Sequence, residues 1–414
     1  MHVLRLTPHF YWPHLKDQGW PVPFDTIGGM QSQIFRQTFE LSRMGLRQTV
    51  ITLRIPNAPS EWQADTQTLI RGVRLPILPM RSRIRGLMDL NISWAMGIAN
   101  EFLRRRLQGD IVHVHCSGVF WPLLVGAVVA PAIKARLILT IHCSVLATYE
   151  AMNLLDHTLQ PMARFIELTA LRRADHVVVL SPRSQRTLKE LARVSENRVT
   201  VVPDCIDVDS FRSYATPQAM AEFKRRYKIS TDRPIIAYVG RIAREKGWRR
   251  IIALAERLKE NNCHFLICGD GNERDLLERE VKKRGLASMV TVTGYVAQDV
   301  VPVAISYATA VVLTSLHEEF GGILIEAMSM KVPQVAFKVG GIPNVVVDGE
   351  TGILVPPDDI ETMAQAIREL IRSPELVREM GEKSLAHVKQ NFSLEDSCRR
   401  LYDLYQSCSA GPLT

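Results

Sequence analysis

The sequence predicts an α/β protein made of two doubly wound domains in series. Three observations predict it. The chain has 414 residues, too many for one ordinary domain and suited to two of about 150–200 residues. Short apolar runs alternate with longer stretches of helical periodicity, which means parallel sheets with helices on both faces. The alternation runs through once, is interrupted near residues 202–214, and then repeats.

The first series opens with MHVLRLTPHF. This segment lacks a basic region followed by a long apolar core, so it reads as the first strand and not as a leader peptide. Strands are expected at 2–7, 48–53, 111–115, 137–141, 176–180 and 199–202. Helices are expected at about 30–44, 90–106, 120–131, 160–173 and 183–193. The first of these has an apolar face of Ile34, Phe35, Leu41 and Met44. The stretch VPDCIDVDSFRSY at 202–214 has a proline, clustered acids and no periodicity, and reads as a linker. The second series has strands at 235–239, 264–268, 290–292, 310–314 and 334–337, and a short one within GETGILVPP. Its helices are expected at about 247–260, 272–284, 299–306, 322–330, 361–372, 374–389 and 395–406. The domains are therefore 1–204 and 205–390.

Composition excludes several classes. Hydrophobic residues make up 46% and charged residues 23%, the balance of a globular protein. No apolar run approaches the roughly 20 residues of a membrane span. The seven cysteines are scattered and contain no CxxC pair, against a disulfide framework or a structural zinc site. A reducing cytoplasm is the simplest expectation. Residues 1–204 hold 24 Lys and Arg against 15 Asp and Glu, while 205–414 hold 27 against 28. The basic half could attract an anionic ligand or a membrane surface, or serve solubility alone. The arginines of MRSRIRG at 80–86 lack the interleaved aromatics of a single-strand binder, and no DNA-binding motif is present.

In open α/β sheets, ligands bind beyond the carboxyl ends of the strands. Two such sheets facing each other would create a cleft for two substrates. The longest expected loop there, 8–27, is rich in aromatics and prolines, which favours a functional role. Gly28 and Gly29 follow it and open a helix, where bare N–H groups and the dipole favour anions; a plain turn is the alternative. Arg241 and Lys246 flank the exit of a strand and could neutralise a diphosphate; a solvated basic loop is the alternative. Gly269 and Gly271, in CGDGN, match only part of GxGxxG, because Arg274 takes the third place. Gly340 and Gly341 form another turn after a strand.

HEEFGGILIEAM, 317–328, is the most informative stretch. Seven residues separate Glu318 from Glu326, with Gly321 and Gly322 opening a helix between them. Loop N–H groups could hold the middle of a ligand while the two carboxylates accept hydrogen bonds from hydroxyls at its ends. Ile323, Leu324, Ile325, Ala327 and Met328 surround Glu326, and a buried carboxylate needs partners. His142 ends a strand and would face the cleft. His113 and His115 share a strand face without a third ligand in view, so a metal site is not expected from them. Asp207 and Asp209 resemble a metal-binding DxD but sit in the linker.

Together these residues resemble the retaining GT-B glycosyltransferases of family 4. The matching points are Gly28 with Gly29, His142, Arg241 with Lys246, Gly269 with Gly271, and Glu318 with Glu326 as E-x7-E. The resemblance implies two Rossmann-like domains, the first binding the acceptor and the second the nucleotide sugar. It also implies that the last helix, within 391–414, packs back on the first domain. By this pattern Glu326 binds the ribose hydroxyls and Glu318 the sugar hydroxyls. Phe320, Gly321, Gly322 and Ile323 supply loop N–H groups. Arg241 and Lys246 hold the diphosphate, with Gly29 near it. His142 contacts the sugar near the reacting carbon, and the backbone at Val296 meets the base. No metal is implied. The linker departs from the family's P-N-G pattern, reading Pro203-Asp204-Cys205.

At a closer level, LRLTPHFYWP, FDTIGGMQSQIFRQT and HVHCSGVFWPLL are similar to the glycosyltransferases of aminoglycoside antibiotic biosynthesis, especially those that transfer N-acetylglucosamine from UDP-N-acetylglucosamine to 2-deoxystreptamine. This implies a small cyclitol acceptor. 2-Deoxystreptamine is a dication, so a local carboxylate pocket must outweigh the basic half; the candidate acids are Asp17, Asp25, Glu150 and Asp156. Three alternatives stay open. The donor could be UDP-glucose, the acceptor could be anionic or lipid-linked, or the chain could bind nucleotide sugars without turnover.

Overall fold

A computed structural model describes residues 1–13, 29–74, 91–146 and 154–410, with the side chains of 154–156 left undescribed. The chain divides into two compact units, Met1–Pro203 with Leu394–Thr414, and Asp204–Ser393.

Unit 1 contains β1 (His2–Leu6), α1 (Gly29–Arg43), β2 (Arg47–Leu53), β3 (Glu61–Gln63), β4 (Thr68–Val73), α2 (Asn91–Leu103), β5 (Ile111–Ser117), α3 (Phe120–Ala132), β6 (Arg136–Cys143), α4 (Leu154–Arg173), β7 (His176–Val179), α5 (Pro182–Ala192) and β8 (Val199–Val201). Its sheet runs β3-β4-β2-β1-β5-β6-β7-β8, parallel except for the β3–β4 pair. Aliphatic residues such as Val50, Ile70, Val112, Val114, Leu139 and Val177 are buried on it. α14 (Leu394–Ala410) belongs to this unit and packs along α1.

Strands β3 and β4 are absent from the sequence reading. Their segment, EWQADTQTLIRGV, is rich in polar residues: β3 lies at the sheet edge and buries little, and β4, though mostly buried, carries Thr68 and Arg71. The aromatic loop also differs in part from expectation. Phe10 and Trp12 are buried in the core, with Phe10 against Phe35 at 5.7 Å between centroids. Aromatics chosen for packing and aromatics chosen for a ligand look alike in sequence.

Unit 2 contains α6 (Val208–Ser213), α7 (Pro217–Tyr227), β9 (Ile235–Val239), α8 (Trp248–Arg257), β10 (His264–Cys268), α9 (Arg274–Lys283), β11 (Val290–Gly294), α10 (Val301–Ser306), β12 (Ala310–Leu313), α11 (Gly322–Ser329), β13 (Gln334–Phe337), β14 (Gly352–Val355), α12 (Ile360–Arg372) and α13 (Pro374–Asn391). Its parallel strands run β11-β10-β9-β12-β13-β14. This is the Rossmann order, which reverses direction between its first and fourth strands, here β9 and β12.

The expected linker is largely structured. Asp207 caps α6 by accepting from Ser210 N–H at 3.0 Å, and Asp209 pairs with Lys389 at 3.1 Å. The two acids of the DxD-like pair therefore serve different partners. Thr216 likewise caps α7, with Pro217 in its first turn. α6 is short and α7 buries Phe223 alone, and their capping residues resemble turn residues when read without the fold.

Candidate active site

In unit 2, β9 and β12 are neighbours, so the loops leaving them meet at the order reversal. Beyond β9 the chain passes Gly240 and Arg241, makes a tight turn at Arg244–Lys246, and reaches Gly247 in the left-handed conformation. A Cβ on Gly247 would lie 2.0 Å from the Thr314 carbonyl oxygen. Glycine thus lets the β9 loop press against the end of β12. Thr314 Oγ1 ties the two by donating to the Gly247 carbonyl at 3.1 Å.

This contact brings Lys246 to Glu318. Lys246 Nζ donates to Glu318 Oε1 at 2.7 Å, and Ser315 Oγ donates to the same oxygen at 2.7 Å. The lysine side chain is 26% exposed and the glutamate 12%, so the pair is enclosed but reachable. Two charged groups expected to act on different parts of a ligand here pair with each other. Arg241 behaves likewise, donating to Glu245 Oε1 at 2.7 Å. The Arg241 carbonyl accepts from Tyr238 OH at 2.8 Å. Burial and the Glu318 charge push the Tyr238 phenol up, so it stays a donor.

The Glu318 loop is supported from behind by Gly340 and Gly341. A Cβ on either would lie 1.8 Å or 1.9 Å from the carbonyl oxygens of Glu318 and Glu319. Gly341 N–H donates to the Glu318 carbonyl at 2.8 Å. Phe320 is buried edge-on against Phe392, 5.5 Å between centroids. Gly321 precedes α11 in the left-handed region, with no side chain capping the helix. A Cβ on Gly322 would meet nothing within 4 Å, so packing does not demand that glycine. The open backbone at this helix start suits an anion.

On α11, Leu324, Ile325, Ala327 and Met328 are buried, whereas Gly322, Ile323 and Glu326 lie on a partly exposed face. Glu326 is only partly buried and finds a partner within the protein. Gln298 Nε2 donates to Glu326 Oε1 at 2.9 Å. Gly269 and Gly271 are accounted for by packing, since their Cβ positions fall 1.8 Å and 2.3 Å from the carbonyl oxygens of Gly240 and Ile242. They carry the Arg241 loop. Val296 is half-buried against the apolar cluster containing Leu266 and Cys268. The unit thus gathers Lys246, Glu318 and the start of α11 into one strand-end cluster, and steadies Arg241 and Glu326 through Glu245 and Gln298.

Gly29 and His142 belong to unit 1. Gly29 is the first residue of α1, and a Cβ there would meet nothing within 4 Å. His142 lies at the end of β6, partly exposed, with Nε2 3.2 Å from His115 Nδ1. His115 Nε2 is 3.0 Å from an Arg5 guanidinium nitrogen. Arg5 is completely buried and also donates to Thr38 Oγ1 at 2.8 Å and Gln37 Oε1 at 3.3 Å. Burial and the Arg5 charge lower His142 to about 3, so it is neutral at working pH. His113 and His115 are held well below the ordinary range, first by burial. His113 bonds to Tyr405 OH on α14 and to Thr140 Oγ1, both at 2.6 Å.

Sequence reasoning overlooked several of these residues. Arg5 sits in an otherwise apolar strand, which was the available signal. Glu167, 1% exposed, accepts from Ser144 Oγ at 2.7 Å and Leu146 N–H at 3.1 Å, holding the turn after His142. Gln298, Tyr238 and Ser315 give no sequence signal. Gly28, Asp17, Asp25, Glu150 and the 80–86 stretch lie outside the described residues, as does the side chain of Asp156. Among the described residues no group of three or more His, Cys, Asp or Glu is arranged to hold a metal, and no helix is long and apolar enough to cross a membrane.

Two Rossmann-type units with a cation–carboxylate cluster at the strand ends of the second define a GT-B protein. The sequence matches "Glycosyltransferase Family 4" over residues 27–210 and "Glycosyl transferases group 1" over residues 219–387. It is 36% identical to a 2-deoxystreptamine N-acetyl-D-glucosaminyltransferase of Streptomyces fradiae, over 91% of this chain and 89% of that protein. It is 33% identical to a 2-deoxystreptamine glucosyltransferase of Streptomyces kanamyceticus, over 83% of this chain and 90% of that one. The chain belongs to the family 4 glycosyltransferases. Its fold is similar to that of a sucrose-phosphate synthase from Thermosynechococcus elongatus, with a TM-score of 0.81, 22% identity and 98% of each chain covered.

Proposed function

We propose that this glycosyltransferase moves N-acetylglucosamine from UDP-N-acetylglucosamine to a hydroxyl of 2-deoxystreptamine, with retention at the anomeric carbon and without a metal ion. The observation that carries the reading is the Lys246–Glu318 contact of 2.7 Å at the start of α11. It is a paired charge site that a diphosphate sugar can open, the diphosphate taking the lysine and the sugar hydroxyls the glutamate. The names of the two Streptomyces relatives support the acceptor, and one of them supports the transferred sugar.

Charge develops on the β-phosphate as the bond to the anomeric carbon breaks. Lys246, Arg241 and the N–H groups at the start of α11 are the stabilisers, in the electrostatic manner that usually dominates catalysis. The acceptor oxygen bonds to that carbon from the same face, and its proton passes to the departing diphosphate. Glu326, steadied by Gln298, takes the ribose hydroxyls. Val296 offers its backbone to the base, Gly29 lies near the diphosphate, and His142 meets the sugar.

The test is mass spectrometry of products from 2-deoxystreptamine with UDP-N-acetylglucosamine and UDP-glucose in competition. The N-acetylglucosaminyl product is expected to dominate. A dominant glucosyl product would replace the donor, the reading favoured by the relative named a glucosyltransferase. Absence of UDP release with either donor would overturn the transfer reaction proposed.

A further inference from the structure

Arg5 is the one residue in the His142 network whose hydrogen-bond role has no freedom. A guanidinium only donates and stays protonated in proteins. The bond at 3.0 Å therefore makes His115 Nε2 an acceptor. A neutral imidazole with a bare Nε2 carries its proton on Nδ1, and that nitrogen lies 3.2 Å from His142 Nε2. His142 Nε2 must then accept, which leaves the His142 proton on Nδ1. The far end of the chain is equally constrained. Thr38 Oγ1 donates to the Ile34 carbonyl at 2.7 Å and so receives from Arg5. Burial disfavours a second proton on either ring.

We infer that Arg5 and His115 are positioning residues that hold His142 in the neutral Nδ1–H tautomer, so that His142 offers a ligand oxygen a hydrogen-bond donor and does not act as a base. The part concerning the ligand rests on the proposed sugar transfer; the tautomer does not. A fixed donor selects for an oxygen lone pair at the position it faces, such as a sugar hydroxyl or a phosphate oxygen. It also leaves proton removal from the acceptor to another group, consistent with the departing diphosphate in that role. The buried cation thereby acquires a purpose that its burial cost otherwise leaves unexplained.

The experiment is long-range 1H–15N correlation on protein labelled at its histidines, of which there are 11, with His142 assigned from its loss in His142→Asn. The expected signature is a bare Nε2 and a protonated Nδ1 on His142 in the unsubstituted protein. A protonated Nε2, or a charged ring, at neutral pH would overturn the inference without any variant. In Arg5→Met or His115→Gln the two His142 tautomers should mix, with a change of about tenfold in their ratio; an unchanged ratio in both would overturn the relay. In transfer assays His142→Asn, which keeps a donor near Nδ1, should lose less than about tenfold in kcat/KM, and the acceptor-only His142→Asp about a hundredfold. Equal losses would overturn the donor role. An unsubstituted protein without transfer would instead count against the proposed reaction, with the tautomer still read directly from the spectrum.

Discussion

In unit 2 the cations at the strand ends face carboxylates, Lys246 with Glu318 and Arg241 with Glu245. In unit 1 the cation behind His142 is buried and, among the described residues, has no carboxylate beside it. Arg5 rests on Thr38, Gln37 and His115. The two arrangements suit different tasks. A partly exposed ion pair is weakly held and can exchange one partner for a ligand. A buried cation among neutral groups cannot exchange, so it orients those groups instead. The basic surplus of the first half is thus not all surface charge.

The comparison breaks most sharply at Lys246. Lys246→Ala should lower kcat/KM by about a thousandfold, with the circular dichroism spectrum unchanged, because Glu318 keeps Ser315 as a partner. Turnover like that of the unsubstituted enzyme would remove the lysine from the proposed mechanism.

The two glutamates sharpen the picture within unit 2, with effects of about tenfold to a hundredfold in affinity. Calorimetric titration should find that Glu326→Ala weakens UDP itself. Glu318→Ala should weaken mainly the intact sugar nucleotide. If both variants lose UDP and UDP-sugar affinity equally, the proposed division between ribose and sugar is wrong.

The smallest expected effect per step is acid sensitivity. His113, His115 and His142 in unit 1 are all held below the ordinary value of 6.5, whereas unit 2 has His264, lowered to about 4 by burial and Arg233. The unfolded chain takes up protons near pH 6.5 while these native rings stay neutral. Stability therefore rises with pH through that window and falls as the pH drops from 6.5 towards the folded values. Each ring contributes up to about tenfold per pH unit. Hydrogen exchange at pH 4.5 should show β5 and β6 losing more protection than β10. Equal loss in both units would deny that the buried network distinguishes them.

Much of the architecture is legible because apolar period and strand-end glycines are local properties. The strands at 235–239, 264–268 and 334–337 coincide with β9, β10 and β13. The E-x7-E spacing is legible for the same reason, since one loop and one helix carry both acids. The misses share a cause. Strand β3 and helices α6 and α7 bury little or are short, so their periodicity is faint, while β4 interrupts its apolar residues with Arg71 and Gly72. Gln298 reaches Glu326 from another segment, and Tyr238 reaches the Arg241 carbonyl through the turn of a loop. Neither residue differs in sequence from an ordinary core or surface side chain.

The chain's own pattern predicts most strands of the two sheets, the approximate joint between them and a set of candidate donor residues, because hydrophobic period, turn chemistry and motif spacing act over a few residues. The fold alone decides that Gly340 and Gly341 brace the Glu318 loop, that Gln298 shares Glu326, and that Arg5 sets the protons of His115 and His142. Those contacts join residues more than 20 positions apart, 110 in the case of Arg5 and His115. Hydrogen-bond direction and burial, unlike periodicity, exist only once the strands have been laid side by side.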